Sequence, residues 1–163
     1  MSITALRRLF KFLHSLAAAG LTGAFAALAV VVILAPSSIG TPAYVPIVTA
    51  MAKIAAWVVG PSLVLTVITG LLAMVANPAY YEAGWVWAKA ATGLALLEGG
   101  LRVIGPLQDE AKRAGAALAS RADAADITRL LTSEENTLWL LLAVSVANIA
   151  LGVWRPRFPK IPV

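Results

Sequence analysis

The chain has no cysteine, one histidine and only 13% charged residues among its 163. Without thiols, disulfide frameworks, thiolate zinc or iron–sulfur sites, cysteine nucleophiles and c-type haem attachment are excluded. The lone imidazole, His14, excludes within one chain a bis-histidine haem, a three-histidine zinc site and a di-iron carboxylate–histidine centre. Copper handling has little to draw on, because Met1, Met51 and Met74 are the only thioethers. The shortage of charge is equally informative, since soluble domains carry roughly 25% charged residues. Hydrophobic residues make up 60% of the chain. With a mean hydropathy of +0.85, it reads as a small integral membrane protein of one domain.

Four stretches approach the roughly 20 apolar residues that a bilayer core of about 30 Å requires: about 12–34, 51–76, 85–105 and 137–154. The first is free of charge from Phe12 to Leu34, and the second carries only Lys53 near its start. The fourth runs uncharged from Thr137 to Trp154, behind Thr132 and Glu135 at capping-box spacing. The third differs, because it contains Lys89, Glu98 and Arg102. The first run is longer than the 7–15 residues of a signal-peptide core and reads as a retained helix. Arg7, Arg8 and Lys11 at one end, and Arg155, Arg157 and Lys160 at the other, place both termini in the cytoplasm. The fold expected is an all-α, four-transmembrane-helix bundle in a cell membrane, the bacterial inner membrane for preference.

Between the first two spans, Pro36, Pro42 and Pro46 argue against one continuous helix over 35–50, which is apolar enough to fold back on the membrane surface. In the connection at about 106–133, Leu107, Ala111, Ala114, Leu118, Ala122 and Ala125 recur at three- and four-residue intervals with charges between them. That is an amphipathic helix, either lying in the interface or packed on the outer end of the bundle. Trp57, Trp85, Trp87, Trp139 and Trp154 fall near span ends, as interfacial anchors do. Ala19, Gly23 and Ala27, and likewise Ala91, Ala95 and Gly99, form small-residue ridges that let helices approach closely. Pro61, directly after Gly60, predicts a kink in the second span.

Ionisable groups inside a span are costly and so become functional candidates. His14 starts the first span and Lys89 lies roughly 6 Å into the third, from the same side, so both sit at shallow depth. They could line one pocket suited to a carboxylate-bearing planar ligand, with 77–84 as its lid, because lysine pairs with carboxylate and neutral imidazole ligates metals. Alternatively His14 is interfacial and Lys89 snorkels to headgroups. Glu98, about 20 Å along the third span, has Arg102 one turn away as an intrahelical partner. Nine residues put Lys89 and Glu98 on opposite faces of that helix, so one face serves an internal pocket and the other meets a helix, a subunit or a second protomer. Ser145 and Asn148 in the fourth span are interhelical hydrogen-bond candidates.

Lys11-Phe-Leu-His14, then Gly60-Pro-Ser-Leu-Val-Leu-Thr-Val-Ile-Thr-Gly70 with Asn77-Pro78, then Gly84-Trp-Val-Trp-Ala-Lys89 resemble segments of the HemJ-type protoporphyrinogen IX oxidases and of the looser copper-resistance D-like small membrane proteins. The likeness spans roughly residues 8–105. It implies that His14 and Lys89 are functional and that haem b is the cofactor, with His14 as the iron ligand. Trp87 stands where that family places a further histidine, and the histidines it has near the end of the third helix are missing. The resemblance therefore implies a protein that binds haem or a related tetrapyrrole, with redox work as its activity.

The competing reading is a structural or assembly subunit of a larger membrane complex, held through its small-residue ridges and the Glu98 face, with membrane lipid and a homo-oligomer or a larger complex as partners. A channel or transporter would need a polar path that the sequence does not show. The net charge of +5 is accounted for by the cytoplasmic flanks, which removes nucleic acid as an expected partner.

Overall fold

A computed structural model describes residues 3–35, 43–77, 80, 82–120 and 128–155. Five α-helices account for almost all of them: α1 Ile3–Leu34, α2 Tyr44–Ile54, α3 Gly60–Val75, α4 Gly84–Ser120 and α5 Thr128–Trp154. A π-helical turn, Ala55–Val59, joins α2 to α3, with the Gly60 N–H bonded back to the Ala55 carbonyl. Pro61 follows at once. Proline cannot donate to the carbonyl four residues earlier, and widening the turn ahead of it redistributes the backbone partners. The kink expected at Pro61 is thus absorbed one turn upstream.

Helices α1, α3, α4 and α5 close into a ring in which α1 touches α3 and α5, and α4 touches the same two. Neighbours run antiparallel. Gly20 lies beside Ser62 while His14 lies beside Gly70, and Gly99 meets Leu141 while Lys89 meets Gly152. Along the axis the interior has two halves. Phe25, Leu28, Val59, Leu63, Val103, Leu107 and Leu138 fill the half away from the chain ends with apolar side chains. Nearer the ends of the chain, His14, Thr69, Lys89, Asn148 and Ser145 replace them.

The outer surface is apolar in turn. Val64, Ile68, Leu71 and Val75 on α3, and Leu140, Val146 and Val153 on α5, are large and exposed. Three helical segments are long and apolar enough to cross a membrane: Thr4–Leu34, Tyr44–Val75 and Glu135–Trp154. The chain is therefore read as a membrane protein. Helix α4 does not qualify among the described residues, because Lys89, Glu98 and Arg102 and its glycines dilute its hydropathy.

Several expectations are corrected. The stretch read as a loop to about residue 50 is helical from Tyr44, with Pro46 in the first turn, where its missing N–H has no helical acceptor to lose; Pro36 and Pro42 lie outside the described residues. The third span and most of the amphipathic connection are one helix of 37 residues, about 55 Å long. Pro106 lies inside it on the exposed side, and the buried stripe of Val103, Leu107, Glu110 and Ala114 runs through it unbroken. This extension packs along α2. Residues 121–127, the tail beyond Arg155 and part of the proposed 77–84 lid fall outside the described residues. Thr132 is inside α5, which starts at Thr128, and so does not stand at the helix start.

The small-residue ridges lie mainly on the outer surface. Ala19, Gly23 and Ala27 are all exposed, as are Ala91 and Ala95. Close packing inside the bundle uses Gly99, the last member of the second ridge, and its neighbour Gly100. A Cβ built on Gly99 would lie 2.5 Å from Leu141 Cδ2, and one on Gly100 would lie 2.5 Å from Leu63 Cδ1.

Candidate functional site

The polar half of the interior is assembled from four helices. On the α1–α3 side, His14 Nδ1 lies 3.0 Å from the Thr66 carbonyl and 3.2 Å from Thr69 Oγ1. Thr69 Oγ1 itself donates to the Leu65 carbonyl at 2.5 Å, so its hydroxyl proton is taken. A carbonyl can only accept, and a hydroxyl that already donates elsewhere can accept as well. Nδ1 is therefore the protonated nitrogen and Nε2 carries the lone pair. The ring sits over Gly70, where an added Cβ would come within 3.3 Å of Cε1.

On the α4–α5 side, the Lys89 ammonium donates to the Asn148 carbonyl at 3.1 Å. Asn148 Nδ2 donates to the Lys89 carbonyl at 3.0 Å and to Thr92 Oγ1 at 2.7 Å. Thr92 in turn reaches back to the carbonyls of Ala88 and Lys89. Lys89 also lies over a glycine, since a Cβ on Gly152 would fall 2.9 Å from Nζ. Both candidate residues thus rest on a glycine of the neighbouring helix. Gly70 and Gly152 are the positions that sequence reasoning passed over, although an isolated glycine inside a helical run is a signal of close approach.

His14 and Lys89 lie in the same half of the bundle, but each is bound to a different neighbour: His14 to α3 and Lys89 to α5. Between the two sides, one turn deeper than either, is a cavity of about 20 Å³ lined by Ala18, Thr22, Thr66, Gly93, Ser145 and Asn148 among others. Ala18 is one turn beyond His14 and Gly93 one turn beyond Lys89. Thr66 Oγ1 is buried and makes no hydrogen bond.

The donor set can be tested against haem. An imidazole held at Nδ1–H by a carbonyl presents Nε2 in the form that ligates iron. The space does not fit. A cavity of about 20 Å³ is on the scale of one water molecule, so no macrocycle lies between the helices as they pack. His14 itself is only partly exposed. Among the described residues, no group of three or more His, Asp or Glu side chains could hold a metal ion.

On the outside of α4, Glu98 accepts from Arg102 at 2.7 Å, with the two side chains 68% and 75% exposed. They lie on the exposed side with Ala91, Leu94, Ala95 and Leu101. Beside them, an open apolar groove of about 640 Å³ runs between α3 and α4, lined by Gly60, Pro61, Val64, Ile68, Leu97 and Leu101.

One buried acidic residue escaped the sequence reading. Glu110, 2% exposed, accepts a hydrogen bond from the Tyr44 hydroxyl at 2.8 Å through Oε1, and its Oε2 has no partner. It looked like part of a solvated face because Lys112, Arg113 and Asp109 surround it in sequence. No family model matches the chain, and no curated protein or solved structure matches it either.

Proposed function

We propose that the chain is a four-span membrane subunit that works through its outer helix faces, docking a second copy along α4 within a membrane assembly. In this reading α4 spans from Gly84 to about Ile104, roughly 30 Å, beside α3 and α5. Its remainder and α2 stand outside the bilayer on the far side, and both chain ends face the cytoplasm of a bacterial inner-membrane protein. Trp57, 79% exposed, then lies at the far interface, and Trp85, stacked under Arg155 at 5.6 Å, at the near one.

The observation that carries the reading is the outward Glu98–Arg102 pair. Ionisable side chains within a span face a bundle interior or a water-filled cavity almost without exception, because lipid offers them no partner. Here the interior is filled, and the pair faces outward among alanines and leucines. A two-fold arrangement of α4 against its copy lets Glu98 of each chain meet Arg102 of the other, while Ala91 and Ala95 allow the backbones to approach. The test is the protein mass in detergent micelles by light scattering. Wild type is expected as a dimer or larger, Glu98→Arg as a monomer, and the swap Glu98→Arg with Arg102→Glu as a dimer again. A wild-type monomer would overturn the reading.

A second reading is favoured by the state of His14, whose anchored Nδ1–H leaves Nε2 as a free lone pair. It is a haem- or tetrapyrrole-binding protein in which His14 would hold the group while Lys89 stays with Asn148. Haem, when bound, supplies one-electron redox chemistry. This chain would supply one imidazole and its orientation.

A further inference from the structure

We propose that the cavity between α1, α3, α4 and α5 holds one water molecule, hydrogen-bonded to Thr66 Oγ1 and reaching the polar side chains of α5. Two independent observations point there. The cavity has about 20 Å³, above the volume one water needs and far below that of any organic ligand. Thr66 lines the same space, and its hydroxyl is buried with no partner.

Threonine in a helix ordinarily returns its hydroxyl to a carbonyl one turn back, as Thr22 and Thr92 do here. Thr66 does not. A hydroxyl turned away from its own helix and left dry carries the full desolvation penalty, which a single water removes. The water has further partners across the cavity. Ser145 Oγ donates to the Leu142 carbonyl and keeps lone pairs to accept with, and Asn148 lines the same wall.

The site has a structural consequence. Among the described residues no direct hydrogen bond joins the His14–Thr66–Thr69 group to the Lys89–Thr92–Asn148 group. The water would close that gap, making one polar layer from two halves and fixing the register of α3 against α5.

Gly93 makes the occupancy decidable. It lines the cavity, and a Cβ built on it meets no atom within 4 Å. Gly23, exposed on α1, also has open space around such a Cβ and serves as the control for helix propensity alone. Radiolytic hydroxyl labelling in ¹⁸O water, read by mass spectrometry on the intact protein in detergent, reports side chains that touch a trapped water. We expect label at Leu21 and Leu96, buried residues that line the cavity, in the wild type, and its fall in Thr66→Val to the background seen at the deeply buried Leu28 and Leu138. We also expect Gly93→Ala to melt lower than Gly23→Ala, since its methyl evicts the water. A dry cavity gives the reverse: no label above background, and Gly93→Ala melting at or above Gly23→Ala. Label that survives in a folded Thr66→Val would equally overturn the assignment. Should Thr66→Val not fold, the glycine pair decides alone.

Discussion

Asn148 holds Lys89 by both ends of its own residue: its backbone carbonyl takes the Lys89 ammonium at 3.1 Å, and its side-chain amide donates to the Lys89 backbone carbonyl at 3.0 Å. The exchange ties α4 to α5 in the polar half of the bundle. Replacing Asn148 by Leu removes the amide and leaves the Lys89 and Thr92 acceptors facing an alkyl group. We expect a loss of about 0.6–2 kcal/mol in stability, the span between membrane-protein and model-peptide values for interhelical hydrogen bonds. Reversible unfolding in mixed micelles measures it, and an unchanged midpoint would contradict the role.

At Gly100, α4 packs tightly against Leu63 of α3. A methyl there would lie 2.5 Å from Leu63 Cδ1, and Leu63 is only 2% exposed, so the side chain has little room to yield. Gly100→Ala should destabilise by about 1–3 kcal/mol despite its better helix propensity. In the background of Leu63→Ala the same change should become neutral or favourable. Thermal melts of the two single variants and the double variant show whether the coupling exists.

Tyr44 and Glu110 are coupled through a single buried bond of 2.8 Å between residues 66 positions apart. Tyr44→Phe leaves both carboxylate oxygens of Glu110 without a donor, and should cost about 1–3 kcal/mol or more. Glu110→Leu combined with Tyr44→Phe should recover most of that loss, because an apolar pair needs no partner. A double variant as unstable as Tyr44→Phe alone would show that Glu110 has another role.

How much of this was legible beforehand follows from the range of each interaction. The charge-free runs marked α1, α3 and α5, and the Glu98–Arg102 pair follows from helix geometry alone, since it is local. The extent of α4 was hidden by Pro106, which normally ends a helix; its ring lies on the exposed side, and the stripe through Leu107 and Ala114 holds the extension to α2. His14 and Lys89 were visible as polar residues in apolar runs. Their partners were not, because Thr66, Thr69, Asn148 and Gly152 lie more than 50 positions away and only tertiary packing brings them near. The ridge Ala19–Gly23–Ala27 shows the converse limit: spacing reveals that a face is small, but not whether it points inward.

His14 provides a spectroscopic test of the second reading. If its Nε2 holds a haem, the purified protein supplied with haemin should show a Soret band that His14→Ala abolishes, and a dithionite-reduced spectrum with sharpened α and β bands. Lys89→Met, which keeps the bulk of the side chain, should retain the band, because Lys89 is bound to Asn148. A colourless wild type, or a band indifferent to His14→Ala, removes this reading and leaves the first intact.

The docking of α4 on a second copy is the claim most open to a direct answer, because the chain has no cysteine of its own. Single cysteines at Ala91 and Ala95 on the proposed face, and at Leu72 on the lipid-facing side of α3, would be oxidised in native membranes and resolved by non-reducing electrophoresis. The account predicts a disulfide-linked dimer from Ala91→Cys or Ala95→Cys, absent from Leu72→Cys and lost when Glu98→Arg is added. Monomer alone from both α4 positions, or equal dimer from all three, would contradict it.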